Sequence, residues 1–146
     1  MAGIKNIQVA FTMGNKYTME GKVGAHTLHI DQPKMSGGDD KGPTPLEYQL
    51  VALAGCIGAI ARIIAYQRKL PMRGMEVQVS GDVNVDFLLG RTKEGRAGFT
   101  GIKALVKIDA DMTLEEKKAF LHEVDERCPI SESLIHATPV TVEVVE

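Results

Sequence analysis

The stretch from Thr44 to Lys69 holds a long apolar segment that limits what the rest of the chain can be. Between Leu50 and Ala65, sixteen residues, only two glycines and Arg62 interrupt the apolar side chains. A run of this length with an arginine inside is too short and too charged for a membrane span, so it predicts a core helix. The other elements must then pack around this helix.

Clear signals mark both ends of the predicted helix. Residues 44–47 (TPLE) form a capping box with proline at the first helical position, and Pro71 stops the helix. Its inward stripe is Leu46, Leu50, Leu53, Ile57, Ile60 and Ile64. Cys56 lies about 80° off that stripe between Gly55 and Gly58, which leave room for a close approach to the sulfur. A buried packing role for this cysteine remains the alternative.

Length and composition restrict the class of protein. The 146 residues suggest a single domain over 1–146. A net charge of -2, no tryptophan and 5% aromatic residues give no expectation of nucleic-acid or anionic-membrane binding. The first eight residues alternate polar and apolar and lack a signal-peptide core, so we expect a cytoplasmic protein. In that compartment the two cysteines are expected to be reduced or redox-active.

Strand patterns flank the central helix on its N-terminal side. Alternation predicts a strand over residues 7–13 and two short strands after it. In the third strand His26 and His29 fall on opposite faces, so no metal site is expected there. Residues 31–43 are rich in glycine, proline and charge, which is typical of a flexible connector or a lid over a site.

The second half predicts a hairpin, a helix and a last strand. Residues 75–87 and 102–108 alternate around a basic turn at 90–96, with Val77, Val79, Val83 and Val85 on one face. A second capping box opens a helix over 113–127, whose inward residues are Leu114, Leu121 and Val124. Ser131 is expected to cap a short turn, and Val140, Val142 and Val144 to form a strand.

This order of elements predicts an α+β fold with helices on one face of a mainly antiparallel sheet. One small sheet cannot cover a helix that is apolar nearly all round. We therefore expect a homodimer in which two such helices pack together.

The two cysteines, Cys56 and Cys128, are 72 residues apart and both follow inward-facing stripes. The useful chemistry for such a pair is an attacking thiolate and a resolving thiol, because a thiolate that opens a peroxide becomes a sulfenic acid and then a disulfide. Spacing alone does not show whether the two sulfur atoms meet.

Two motifs resemble a known family. Residues 42–47 (GPTPLE) lead into an apolar helix that reaches Ala-Gly-Cys at Cys56, and residues 128–134 read CPISESL. Together they are similar to the OsmC/Ohr family, the osmotically inducible and organic-hydroperoxide-resistance proteins. The resemblance implies an intertwined homodimer, with curved antiparallel sheets around two long central helices. It also implies reduction of organic hydroperoxides, with Cys56 reacting, Cys128 resolving, a dithiol such as lipoamide as reductant, and no metal or flavin cofactor.

The chain departs from the family pattern at two points. No arginine precedes Arg62, so Lys16 or Lys22 would have to supply the cation that activates the peroxide in the family. The family's functional glutamate lies ten residues before the reacting cysteine, a position held here by Leu46, and Glu47 is the candidate one residue later. Without the arginine, a raised pKa is expected for the reacting cysteine.

Three functions follow from these residues. The first is a thiol-dependent peroxidase that uses Cys56, Cys128 and Glu47. The second is a non-catalytic OsmC-like protein that binds a small apolar ligand between subunits, its cysteines serving packing. A thiol redox sensor is disfavoured because no nucleic-acid-binding element is present.

Overall fold

The computed structural model describes residues 3–146. Three strands come first: β1 (Ala10–Met13), β2 (Met19–Val23) and β3 (His26–Ile30). They are followed by α1 (Pro45–Arg68), β4 (Met72–Asp82), α2 (Val85–Leu88), β5 (Gly101–Ala110), α3 (Leu114–Arg127) and α4 (Pro129–Ile135). All strand pairs are antiparallel, and α1 and α3 are the two long helices. The predicted α+β class is confirmed.

The chain divides into two compact units, Met1–Gln49 and Leu50–Glu146. The boundary falls in the first turns of α1. The single domain expected over 1–146 stays a prediction, and each unit is described by itself.

The first unit contains a three-stranded sheet in the order β1-β2-β3. The first strand begins at Ala10 rather than at Ile7, because Ile7 and Val9 are exposed and have no strand to pair with among the described residues. His29 lies opposite Glu20 in the register of β2 and β3, and its Nε2 is 2.8 Å from Oε2 of that glutamate.

A buried carboxylate organises the segment that follows β3. The Asp31 side chain is 1% exposed and accepts hydrogen bonds from the Thr18 hydroxyl (2.9 Å) and from the backbone N–H groups of Gln32 (2.8 Å) and Lys41 (3.1 Å). Burial by itself would raise the pKa of Asp31, but these donors together lower it below its usual value. Asp31 therefore joins the start of the segment predicted as a flexible connector or lid to Lys41 near its end.

Helix α1 begins as predicted. The Thr44 N–H donates to Oε2 of Glu47 at 2.7 Å, and the Glu47 N–H donates to the Thr44 hydroxyl at 3.3 Å, which completes the capping box. Of the predicted inward stripe, Leu53, Ile57 and Ile64 are buried, together with Ala61 and Ala65.

The outer face of α1 is uncovered within the chain. The helix has 24 residues and is long and apolar enough to cross a membrane by length and composition alone, a test that core helices also pass. The expected exclusion of a membrane span from the length and charge of its sixteen-residue apolar run therefore does not hold. Only 28% of its most apolar window is buried inside the chain. Val51, Ile63 and Tyr66 are exposed on the remaining surface. Within the second unit, residues of β4, β5 and α3 share a core with one face of this helix.

The core of the second unit lies between that face of α1, the hairpin of β4 and β5, and α3. Besides the α1 residues, it contains Met72, Ile108, Ala110, Phe120, Val124 and Cys128. The hairpin register places Val77 opposite Val106 and Val79 opposite Ala104, as the alternation predicted. The guanidinium of Arg62 donates to the Met72 carbonyl (2.8 Å) and ties α1 to the start of β4.

Several predicted boundaries in the second unit are wrong. Strand β4 ends at Asp82, because the Asn84 side chain accepts from the Phe87 N–H and caps the short helix α2, which leaves Val85 exposed. On α3, Leu114 is exposed and Phe120 is buried in its place beside Val124. The helix is otherwise capped as predicted, by Thr113 and Glu116.

The predicted last strand is also absent from the described residues. Residues 138–146 have no regular secondary structure, and the valines that were expected to pack, Val140, Val142 and Val144, are exposed. Among the described residues no strand pairs with this segment, so its alternation has no hydrogen-bonded partner.

We expect Asp31→Ala to lower the urea midpoint of unfolding, because two backbone N–H groups would lose their acceptor. The change should be larger than for Asp39→Ala in the same segment, which removes only an exposed ion pair with Lys16. The lowered pKa also sets the pH dependence. The contribution of Asp31 should be complete above about pH 4 and be lost as the pH falls through the folded-state pKa. Equal midpoints for the two variants at pH 7 would contradict this role.

Candidate functional site

Cys56 lies at the border between the packed and the uncovered side of α1. Its neighbours Leu53 and Ile57 are buried, whereas the cysteine itself is half-buried. A Cβ atom built on Gly55 or Gly58 would meet nothing within 4 Å, so the space beside the cysteine is open. The small neighbours therefore leave an approach to the sulfur, as their spacing predicted.

Cys128 has the opposite environment, since it is 0% exposed. Helix α3 ends at Arg127, and Cys128 is the N-cap of α4, with Pro129 at the first helical position. Its Sγ accepts from the Ser131 backbone N–H at 3.4 Å. The expectation that Ser131 caps this helix was wrong, because the cysteine sulfur takes that position. The proline that directly follows Cys128 was the sequence signal for this arrangement.

The structure brings the two sulfur atoms together. Sγ of Cys128 lies 2.8 Å from Sγ of Cys56, and both cysteines are free thiols. A disulfide bond is about 2.05 Å long, so the pair could close with a shift of less than about 1 Å. One thiol that can be reached from outside is thus in contact with one that cannot.

The surroundings of Cys56 disfavour its charged form. Burial raises the pKa of the Cys56 thiol, and the hydrogen bond with the Cys128 thiol raises it further. A hydrogen bond from the Ile130 backbone N–H opposes this shift without reversing it, and in the described part of the chain no cationic side chain contributes to the balance. The raised pKa expected from the sequence is confirmed in direction.

Arg62, the first arginine of the chain, has its charge engaged elsewhere. Its guanidinium donates to the carbonyls of Met72 (2.8 Å) and Arg73 (3.2 Å). It also lies over the Tyr66 ring, 5.6 Å from the centroid. These contacts hold the side chain at the start of β4.

The other predicted site residues belong to the first unit, whereas both cysteines belong to the second. The Glu47 carboxylate is used in the cap of α1, where it accepts from the Thr44 N–H. Lys16 forms an ion pair with Asp39 at 3.1 Å. The part of the predicted site that the structure assembles is therefore the cysteine pair, and the roles of Glu47, Lys16 and Lys22 stay predictions.

Two residues that the sequence analysis did not connect to the site lie beside Cys128. The buried Ser131 donates its hydroxyl hydrogen to Oδ1 of Asp125 at 2.6 Å. The Cys128 N–H donates to the Asp125 carbonyl at 3.2 Å. Asp125 thus contacts the chain on both sides of the turn between α3 and α4. Nothing in the local pattern joins residues six positions apart across a helix end.

Among residues 3–146, no group of three or more His, Cys, Asp or Glu side chains is placed to hold a metal ion. His122 lies 3.3 Å from Glu126, one turn further along α3, and His136, which directly follows α4, lies 3.3 Å from Glu132 of that helix. These are surface pairs within α3 and at the end of α4.

The fold is similar to several solved structures. An OsmC-like protein from Mycoplasma pneumoniae superposes with a TM-score of 0.79 at 22% identity, covering 91% of this chain and 89% of that one. An organic hydroperoxide resistance protein OsmC from Legionella pneumophila gives 0.68 at 19% identity, covering 91% of each chain. An organic hydroperoxide resistance protein from Elizabethkingia anophelis gives 0.70 at 17% identity, covering 91% and 90%.

At these identities the likeness shows the fold alone. No curated protein sequence matches the chain. The family model described as OsmC-like protein matches residues 38–143, which include the start of α1, both cysteines and the whole of the second unit up to its last residues. The chain belongs to the OsmC-like protein family.

Proposed function

We propose that this protein is a thiol-dependent peroxidase that reduces organic hydroperoxides through a cycle of Cys56 and Cys128. The observation that supports this most strongly is the 2.8 Å separation of the two sulfur atoms, with only Cys56 accessible. Two of the similar structures are organic hydroperoxide resistance proteins, which agrees with this substrate class.

The unequal exposure of the two thiols supports the proposed roles, with Cys56 reacting and Cys128 resolving. Cys56, as thiolate, attacks the terminal oxygen of the hydroperoxide, the O–O bond breaks, and the alkoxide leaves as alcohol after taking a proton. Cys56 is now a sulfenic acid. The Cys128 sulfur attacks it, the disulfide forms, and the hydroxyl leaves as water with the Cys128 proton. An external dithiol such as lipoamide then reduces the disulfide, which restores both thiols and oxidises the dithiol.

The lack of an arginine corresponding to that of the family limits the rate at which Cys56 attacks the hydroperoxide. Because the pKa of Cys56 is raised, little thiolate is present at neutral pH. We propose that Lys16 or Lys22, together with Glu47, contributes to the peroxide step. A lysine would supply charge without the paired donors of an arginine.

We further propose a homodimer as the active form. The uncovered face of α1 carries Val51, Ile63 and Tyr66, and the C-terminal segment exposes alternating valines, with Val142 94% exposed. A second copy that covers both surfaces would remove a larger apolar area from water than monomers usually leave exposed. We place this dimer in the cytoplasm, where dithiol reductants are kept reduced.

A second candidate function is non-catalytic binding of a small apolar ligand between two subunits. The raised pKa of Cys56 favours it, because a protonated thiol is a poor nucleophile and a good packing group. The open space beside Gly55 and Gly58 would then take the ligand. Kinetics of Cys56 oxidation separate the two functions.

We expect Cys56 to be oxidised by cumene hydroperoxide faster than a free thiol at the same pH, in a stopped-flow measurement. Hydrogen peroxide should react more slowly, since each additional buried methylene favours the organic substrate by up to about fourfold. Cys56→Ser should abolish turnover. Cys128→Ser should allow one oxidation and then stop at sulfenic acid. A rate no faster than the free thiol would reject the peroxidase and leave the ligand-binding function.

The rate constant of Cys56 oxidation should rise about tenfold per pH unit from pH 6.5 to about 8.5, because the thiolate fraction is still increasing below a raised pKa. Cys128→Ala removes the thiol hydrogen bond that raises the pKa, so its profile should shift to lower pH. A plateau already reached by pH 7 in the native protein would contradict the raised pKa.

The native protein should scatter light as a particle of twice the 15.8 kDa chain mass at micromolar concentration. Ile63→Glu should shift the mass toward that of one chain, because it places a charge on the uncovered face of α1. Leu114→Glu, at an exposed position of α3, is the matched control and should stay dimeric. A native mass of one chain would reject the dimer.

A further inference from the structure

The turn between α3 and α4 is held by one residue from each helix. Asp125 lies in the last turn of α3 and Ser131 in the first turn of α4, and their side chains meet at 2.6 Å. A hydroxyl that donates to a carboxylate forms a shorter and stronger hydrogen bond than two neutral groups do. The Cys128 N–H adds a second contact to Asp125, through its backbone carbonyl. Both ends of the cysteine's own turn are therefore fixed to Asp125.

This arrangement acts directly on the resolving sulfur. The backbone N–H of Ser131 donates to Sγ of Cys128, so the position of Ser131 fixes where that sulfur finds its donor. A cysteine side chain has three staggered positions, and the donor selects among them. In the position observed, Sγ points at Sγ of Cys56.

We propose that Asp125 and Ser131 are positioning residues for the resolving step, with their hydrogen bond keeping the Cys128 sulfur aimed at Cys56. This inference rests on the proposed function only for its biological role, because the same orientation of the Cys128 sulfur would favour any reaction that forms a disulfide with Cys56. In the peroxidase cycle it speeds the attack of Cys128 on the Cys56 sulfenic acid, in which the S–S bond forms and water leaves. Neither Asp125 nor Ser131 needs to touch the peroxide.

The test uses dithiobis-nitrobenzoate, a coloured disulfide reagent, with the reduced full-length protein. In the first phase the half-buried but accessible Cys56 thiolate displaces one nitrothiobenzoate and becomes a mixed disulfide. In the second phase Cys128 loses its proton to solvent, attacks Cys56 and displaces the second nitrothiobenzoate. The second phase is first order and reports how well Cys128 is aimed, with no peroxide involved.

Ser131→Ala and Asp125→Ala should slow the second phase about tenfold while the first phase changes less than about twofold, because one charge-assisted hydrogen bond is lost in each. Asp125→Asn keeps an acceptor oxygen in place and should stay within about threefold of the native rate. Ser133→Ala is the matched control, since its hydroxyl donates to the Pro129 carbonyl of the same helix and should leave both phases native.

Native second-phase rates in Ser131→Ala and Asp125→Ala would overturn the proposal, and so would Asp125→Asn being as slow as Asp125→Ala. If Ser131→Ala does not fold, the two Asp125 variants decide, because that side chain is exposed and its loss opens no cavity. A native protein that shows a fast second phase and no acceleration with hydroperoxide would reject the peroxidase and leave the positioning role standing.

Discussion

Burial of one stripe of α1 is the constraint on which the second unit depends. Leu53, Ile57 and Ile64 lie in the same core as residues of β4, β5 and α3, and each buried side chain of this size contributes roughly 1.5–3 kcal/mol. That packing fixes the rotation of α1 about its axis. Because Cys56 lies about 80° from the stripe, the same rotation places its sulfur at the border of the core, with one side packed and the other open.

The second sulfur reaches this border through the end of α3. Val124 is fully buried, and Cys128 follows one turn later, just as the helix stops before Pro129. The capping requirement of α4 then orients the sulfur, since a helix start needs an acceptor for its free N–H groups. Each sulfur atom thus accepts from one backbone N–H, that of Cys56 from Ile130 and that of Cys128 from Ser131. Among the described residues, no cationic side chain contributes to the pKa of Cys56.

A thiol pair of this kind depends on geometry more than on charge. The raised pKa favours the protonated form of Cys56 at neutral pH, so the proximity of the two sulfur atoms is the feature of the site that most favours chemistry. The contact at 2.8 Å makes disulfide formation favourable once Cys56 has been oxidised. No cationic side chain of the described residues contributes to the pKa of Cys56, in agreement with the absence of any arginine before Arg62.

Local alternation failed as a predictor where another contact decided the course of the chain, or where a partner was needed. The alternation at Val83 and Val85 continues that of β4, but the Asn84 cap turns the chain into α2. The alternating valines after position 139 predict a strand, yet a strand needs a hydrogen-bonded partner, and among the described residues none pairs with them. On α3, the burial of Phe120 and the exposure of Leu114 depended on which face of the helix met the core, which no single helix encodes.

The sequence by itself determined the two capping boxes, the extent and inward stripe of α1, the α+β class and the family, because these follow from side-chain periodicity, cap chemistry and motifs within short windows. It also indicated that Cys56 would lack an activating cation. Only the tertiary structure decided that Cys56 and Cys128 touch, that Cys128 caps α4, and that Asp125 and Ser131 hold it there. Such contacts join residues brought together by the packing of separate helices, and the distance between two side chains across 72 residues of chain is set by that packing alone.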